Sequence, residues 1–595
     1  MIEYNLHFHR LLKKLFAEMS EPDIRLIFDS GKKKQLKTGD YLIHQGDKEN
    51  LLYIVLTGRL RAIAEKGKET QILGDIGEGD PVGEFALFTN EPRMASVIAI
   101  RESFVLEFNQ QDYTQLVSKN PLFANILTKF IINRLRRNIF QQNKTSAPKN
   151  IAIINLQPEN DLSPWTDEME SFFTEQRVPI QIFDYESQSK TSYEKVFGSL
   201  EQHDGLNIMV CDHEHPEWSH QCLVYSDLVV VATDFYANPN LYKIERELDL
   251  YAKSILNKRI FLLLLHPENA PMPKNTQNWL ENRNVDLHIH IRQHHDKDIR
   301  RFCRIISNQS VGLVLSGGGA KGNAHLGAVK ALLEEGIEID FLGGTSAGAI
   351  YGITMSYSDF DFEKIDQIAG MGANRRLTAG DFTLPILSLK KGSKVKKFLL
   401  DVFKDIYLED LWVNSYCVST NYSNAKARIH KHGILWKQIQ ASIAIPGVFP
   451  PVVIDQQLHV DGGVVDNLPI EPMYQFPVGK IIAISLTTLT SHKVNYQESP
   501  SAWQLFWSKF SGKKKFKIPG LSSIIINSLM LNSRQKQEVT KSKVSLYFEL
   551  NLKGVGFMDD RKWKGIREMG YQQTQAYLHQ LDEKDKFWLN KLSDQ

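Results

Sequence analysis

The stretch Val311 to Ile350, VGLVLSGGGAKGNAHLGAVKALLEEGIEIDFLGGTSAGAI, constrains the fold of this chain more than any other. Its apolar run Val311 to Leu315 has the length and bounds of a buried strand. Gly317, Gly318, Gly319 and Gly322 then free the backbone for a tight turn that exposes N–H groups. Ala324 to Glu335 is helix-forming in composition, and Phe341 and Leu342 end a second strand. Gly344-Thr345-Ser346-Ala347-Gly348 matches G-x-S-x-G, a strained strand-to-helix bend that holds a serine Oγ out for attack. The first turn has a rival reading. Gly317, Gly319 and Gly322 also spell G-x-G-x-x-G between a strand and a helix, with Asp340 about where a ribose-binding acid sits. On this window alone a dinucleotide site and a hydrolase are equally supported.

With 595 residues the chain has room for about three or four domains. A net charge of +2 leaves no global nucleic-acid footprint, so no nucleic-acid partner is expected. Four cysteines, Cys211, Cys222, Cys303 and Cys417, give no disulfide framework and fit a reducing compartment. The start, MIEYNLHFHRLLKK, lacks the apolar core of a signal peptide, and no apolar run is long enough to span a bilayer. The expectation is a cytoplasmic protein whose membrane contact is peripheral.

Residues 1–145 carry short β-like runs, YLIHQGD, LLYIVLTG, RLRAIAEKG, TQILGDIGEGD and ASVIAI, punctuated by glycines. That spacing predicts an all-β roll or barrel, followed by helix from Asp112 to Asn143. Within it, Val82-Gly83-Glu84-Phe85-Ala86-Leu87 and then Pro92-Arg93-Met94-Ala95-Ser96-Val97 resemble the phosphate-binding cassette of cyclic nucleotide-binding domains. In such a cassette the nucleotide-binding positions here are Gly83, Glu84, Arg93 and Ala95. A carboxylate at Glu84 can accept a ribose 2′-OH, and Arg93 can fork onto a cyclic phosphate. Met94 offers guanine no hydroxyl, which favours cyclic AMP over cyclic GMP as the effector. The alternative is that Glu84 and Arg93 form a surface ion pair on a retained scaffold.

Residues 146–308 alternate strand-like runs with helix-like ones: NIAIINL, IQIFDY, LNIMVC, DLVVVATD, RIFLLLLH and DLHIHIR. This predicts a Rossmann-like α/β region with a parallel sheet, and no Gly-rich ligand motif follows its first strand. Cys211, His213, His215, His220 and Cys222 have a spacing that could hold zinc, but match no familiar ligand pattern, so no metal is expected.

In residues 309–595 two further segments decide between the readings of the glycine turn. They are Ala441-Ser442-Ile443-Ala444-Ile445-Pro446-Gly447-Val448-Phe449-Pro450-Pro451 and His459-Val460-Asp461-Gly462-Gly463-Val464-Val465-Asp466-Asn467-Leu468-Pro469. With GGGAKG and GTSAG, they resemble the patatin-like phospholipases, most nearly the branch that includes neuropathy target esterase. The resemblance implies a patatin-like α/β/α catalytic domain, so the whole is a multidomain chain of β-roll, α/β region and hydrolase. It implies Ser346 as nucleophile, Asp461 as its partner in a dyad without histidine, and Gly317, Gly318 and Gly319 as oxyanion donors. Lys321 stands where the family usually has arginine, which keeps the charge and loses the planar fork. His325, within the next helix, is expected to be structural. Asp466 is expected to be a turn residue and not a second base, and Asp340 becomes a strand-edge residue.

The implied activity is hydrolysis of phospholipid or lysophospholipid esters through an acyl-enzyme, with no catalytic cofactor. The alternatives are a nucleotide-sensing or lipid-binding protein with an impaired hydrolase domain, and a dinucleotide-dependent enzyme. The stretch Ala502 to Leu521 interleaves Trp503, Phe506, Trp507, Phe510 and Phe516 with Lys509, Lys513, Lys514, Lys515 and Lys517. It suits a lipid interface and equally suits a core edge beside a solvated lysine loop.

Overall fold

The structure is a computed structural model of the chain. It describes residues 6–16, 18–66, 69–84, 91–139, 147–159, 163–189, 191–200, 203, 205–252, 258–375, 377, 380–486, 498–501, 503–504, 536, 539–556 and 559–589. Two compact units are present: residues 1–310 with 474–479 and 589–595, and residues 311–473 with 480–588.

The first unit opens with a roll of two antiparallel four-stranded sheets. One runs Lys32–Leu36, Ser103–Phe108, Leu52–Thr57, Pro81–Val82, and the other Tyr41–Ile43, Ser96–Ala99, Leu60–Lys66, Glu69–Ile76. Alternation in these strands puts Leu36, Tyr53, Val55, Leu60 and Val97 into one buried cluster. The strands Lys32–Leu36 and Ser103–Phe108 were not among the expected runs. KKKQL is too polar to announce itself, because it pairs along one edge and buries only Leu36 fully.

The rest of this unit is a six-stranded parallel sheet. Its strands are Asn150–Asn155, Ile180–Phe183, Leu206–Val210, Leu228–Asp234, Arg259–His266 and Leu287–Arg292, arranged 2-3-1-4-5-6. All six expected strand runs are present. Near-continuous apolar sequence is what a sheet covered on both faces requires. Asp227, at the start of the fourth strand, joins roll and sheet. It accepts the Lys149 and Asn150 N–H groups at 2.8 and 3.1 Å and pairs with Arg101 at 2.9 Å and Arg59 at 3.5 Å. Burial pushes its carboxyl up, but the two guanidiniums and the two N–H donors outweigh burial and hold it well below the usual carboxylate range.

The second unit is an α/β/α sandwich on an eight-stranded sheet. The order is Val452–Ile454, Gln457–Asp461, Ser415–Asn421, Phe341–Thr345, Val311–Leu315, Lys480–Ser485, Leu546–Glu549, with Lys426–His430 also paired to Ser415–Asn421. The five strands from Ser415–Asn421 to Leu546–Glu549 are parallel. Gln457–Asp461 runs antiparallel beside Ser415–Asn421, so its C-terminal end comes back along that strand. Asp340 Oδ2 accepts the Val311 N–H at 2.8 Å, and Val311 O accepts the Asp340 N–H at 2.8 Å. That reciprocal pair sets the register of the two central strands and is the strand-edge role expected of Asp340.

The helix Asn323–Glu334, which follows the glycine turn, lies against Trp563–Gln580. They cross at glycines. A Cβ on Gly327 would come within 1.8 Å of Arg567 O, and one on Gly570 within 2.1 Å of Ala324 O. We expect Gly327→Ala or Gly570→Ala to destabilise this unit by about 1–3 kcal/mol or more, as overpacking does. Gly565→Ala, where an added Cβ meets nothing within 4 Å, should be neutral or stabilising. Urea unfolding of the three variants checks this.

Candidate active site

The Phe341–Thr345 strand delivers Ser346 at the C-terminal edge of the sheet, where open α/β sheets bind ligands. Ser346 follows at φ 54° and ψ −119°, and the helix Ala347–Tyr357 starts at the next residue. A non-glycine residue at positive φ is strained, as a nucleophile elbow requires. The sharpness of the bend explains the flanking glycines. A Cβ on Gly344 would sit 2.6 Å from the Gly348 carbonyl carbon, and one on Gly348 would sit 2.2 Å from Leu315 O.

Ser346 Oγ donates to Asp461 Oδ2 at 2.7 Å. Asp461 Oδ1 accepts the Gly463 N–H at 2.7 Å, so both carboxylate oxygens are held. Both residues are buried. Burial is the main influence on Asp461 and pushes its carboxyl up to about 6, against the pull of the Ser346 and Gly463 hydrogen bonds. A carboxylate of that basicity accepts a proton more readily than an ordinary aspartate near 3.9.

The main chain of both residues is fixed by one segment. Ser442 Oγ accepts the Ser346 N–H at 3.0 Å while donating to Val418 O at 2.6 Å. Ala444 O accepts the Asp461 N–H at 2.9 Å. Thr420 Oγ1 donates to Asp461 O, also at 2.9 Å. No role was read for Ser442 or Thr420 in the sequence. The available signal was a hydroxyl inside the small apolar run ASIAIPG.

The three glycines are not equivalent. The Gly317 N–H donates to Asn467 O at 3.1 Å, so it is already engaged. Gly318 precedes, and Gly319 begins, the 3-10 turn Gly319–Gly322. The first N–H groups of such a turn have no partner within it. Gly319 lines the same cavity as Ser346.

His325 Nε2 donates to Ser316 O at 2.9 Å, and burial pulls its pKa down to about 4. It is a neutral ring committed to a carbonyl, as expected of a structural residue. Asp466 makes an ion pair with Lys536, its Oδ1 accepts the Leu468 N–H, and its carbonyl accepts the Thr345 hydroxyl. Those contacts fix the loop, in keeping with a turn residue.

Behind Ser346 opens an apolar cavity walled by Leu326, Ile350, Phe398, Leu399, Val448 and Trp563, with Asn323, Tyr351 and Thr354 as its few polar groups.

The expected nucleotide residues lie in the first unit. Glu84 and Arg93 are buried, which removes the reading of a surface pair. Arg93 donates through Nη1 to Gly83 O and through Nη2 to Leu51 O, both at 2.8 Å. The fork expected to face a phosphate is therefore turned onto the backbone. Ala95 is half-buried, Met94 is exposed, and 85–90 of the cassette lie outside the described residues. In the 146–308 region, His215 contacts Asp212 and His213 contacts Asn155 O, while Cys211 and Cys222 are buried in the core. No group of three metal-ligating side chains is brought together among the described residues. Of Ala502 to Leu521, only Trp503 and Gln504 are described, so its lysines lie outside.

Three family models match the chain in succession. They are a cyclic nucleotide-binding domain over 33–120, a neuropathy target esterase family P-loop like domain over 163–313, and a patatin-like phospholipase over 313–474. The catalytic unit is thus a patatin-like phospholipase domain. Taken together, the three matches make the chain similar to the neuropathy target esterase type. It is 26% identical to "Lysophospholipase NTE1" of Mycosarcoma maydis over 97% of this chain and 35% of that protein. It is 27% identical to "Neuropathy target esterase sws" of Drosophila melanogaster over 93% of this chain and 43% of that protein. The chain therefore spans less than half the length of these curated relatives. The P-loop like match begins at 163, after the first strand Asn150–Asn155, and the residues following that strand, Leu156-Gln157-Pro158-Glu159, lack the glycines and lysine of a phosphate loop.

The raised Asp461 pKa has a stability consequence. The folded state binds the proton more tightly than the unfolded chain, so stability falls as pH rises from about 4 to about 6. Asp461→Asn removes that cost. We expect the variant to be more stable than the wild type by about 1–3 kcal/mol at pH 7, with the gap closing near pH 4. Urea unfolding at both pH values measures it.

Proposed function

We propose that the catalytic unit is a serine acyl hydrolase cleaving carboxylic esters of lysophospholipids or phospholipids through a Ser346–Asp461 dyad. The observation that carries this reading is the 2.7 Å contact of Ser346 Oγ with a buried, basic Asp461 at the wall of an apolar cavity. The cavity takes the acyl chain, which lays the ester carbonyl against Ser346. Asp461 Oδ2 takes the hydroxyl proton as Oγ attacks, and the carbonyl oxygen becomes an oxyanion. Gly318 and Gly319 N–H groups receive that charge, Gly317 being engaged by Asn467. One such donor is worth roughly a hundred- to a thousandfold in rate. Asp461 returns the proton to the departing glycerol oxygen, leaving acyl-Ser346. Water, deprotonated by Asp461, then attacks the acyl carbon, the bond to Oγ breaks, and Asp461 returns the proton to Ser346 Oγ as the fatty acid leaves.

The apolar cavity beside Ser346 is taken to hold one acyl chain at a time, hence a lysophospholipid. The name of one relative, "Lysophospholipase NTE1", supports the same substrate class. At the roll we propose a cyclic nucleotide effector, cyclic AMP favoured, bound when Arg93 turns from the Gly83 and Leu51 carbonyls to the phosphate.

A fluorophosphonate probe should label the wild type and leave Ser346→Ala unlabelled. No labelling of folded wild-type chain rejects the hydrolase. Because only ionised Asp461 accepts the proton, kcat/KM on a lysophospholipid should fall about tenfold per pH unit below about 6. A flat profile between pH 5 and about 7 would exclude Asp461 as base. Calorimetric titration with cyclic AMP should give heat that Arg93→Ala reduces at least about tenfold, as loss of a charge-assisted fork does. Silence from the wild type at millimolar ligand would sink the effector.

A further inference from the structure

The substrate of such an enzyme lies in a bilayer, and the catalytic unit must meet that surface near its cavity. Four large apolar side chains within six residues stand almost fully in solvent: Phe382 at 75%, Leu384 at 74%, Ile386 at 79% and Leu387 at 72% exposure. Single exposed apolar residues are ordinary, but a contiguous cluster marks a contact surface. Pro385 shapes the tip, where the Ile386 N–H bonds Leu384 O at 2.8 Å.

The base of this loop is firmly held. The Thr383 N–H bonds Leu389 O, the Leu389 N–H bonds Gly447 O at 2.9 Å, and the Lys390 N–H bonds Val448 O at 3.0 Å. Gly447 and Val448 belong to the segment whose Ile445, Val448 and Phe449 line the cavity. From the loop the chain runs directly into the helix Ser393–Phe403. That helix turns Val395, Phe398 and Leu399 towards the cavity and leaves Lys394, Lys396 and Lys397 exposed, with Lys391 exposed just before it. Residues 382–400 contain no Asp or Glu.

We propose that Phe382–Leu387 inserts into the interface of an anionic phospholipid bilayer, with Lys391, Lys394, Lys396 and Lys397 at the headgroups, and delivers lipid to the adjoining cavity. This deepens the lipid-hydrolase reading and rests on it. Charge selects the occupant. An apolar tip beside four exposed lysines, of which Lys394 also interacts with Asp381, complements an anionic membrane. A two-fold contact with a second copy would set the same lysines against one another.

Cosedimentation of the full chain with phosphatidylcholine vesicles, with and without about a third phosphatidylserine, tests the surface. The wild type should prefer the anionic vesicles. F382S/L384S/I386S/L387S should lose at least about tenfold in partitioning. K391Q/K394Q/K396Q/K397Q should lose about six hundredfold on anionic vesicles only, since each of the four lysines counts for roughly fivefold. Leu384→Trp, a single mild change, should shift its emission to shorter wavelength with anionic vesicles. Unchanged partitioning of the first variant, or an unmoved Leu384→Trp spectrum, overturns the proposal. So does a concentration-dependent dimer that the first variant abolishes, which would assign the loop to a second copy. Turnover of a short-chain soluble ester separates the two readings. It should survive in the first variant, and its absence from the wild type would refute the hydrolase without touching the vesicle result.

Discussion

The hydrogen bond between Ser346 and Asp461 joins residues 115 positions apart, and most of the second unit can be understood as the means of holding it. A two-residue dyad has no imidazole to bridge a gap, so its members must arrive within direct reach. The parallel core of the sheet brings Ser346 to its edge on a strained bend. The antiparallel return of Gln457–Asp461 brings the carboxylate alongside. Burial then raises the Asp461 carboxyl above an ordinary aspartate, to about 6.

The segment from Ala441 to Phe449 joins what would otherwise be separate parts. Its Ser442 holds the main chain of the nucleophile, and its Ala444 holds that of the base. Its Ile445, Val448 and Phe449 wall the cavity, and its Gly447 and Val448 anchor the exposed apolar loop. Ser346, Asp461, the cavity wall and the exposed apolar loop thus share one backbone reference.

Much of this was legible in the sequence, for identifiable physical reasons. Strands buried on both faces write themselves as apolar runs, so the six strands of the middle sheet and the Val311–Leu315 strand were plain. Ser346 and Asp461 were legible because glycines must flank a bend and a close approach. What was hidden depended on directions in space. Which glycine N–H remains free turns on Asn467 O, and the orientation of Arg93 turns on Leu51 O, 42 residues away. Ser442 and Thr420 act through one hydroxyl each, and a hydroxyl carries no periodicity. The apolar loop 382–387 looks in sequence like any short core segment, and only its exposure sets it apart.

The glycine crossing of Asn323–Glu334 with Trp563–Gln580 has a consequence for the order in which this molecule is made. The second helix supplies Trp563 to the cavity wall and locks the first helix of the catalytic turn in place. A nascent chain emerging from the ribosome holds nucleophile and base about a hundred residues before it holds that lock. Until Trp563–Gln580 is out and docked, the acyl site has a missing side. The cavity beside Ser346 is therefore walled on all sides only after Trp563–Gln580 has been made and docked.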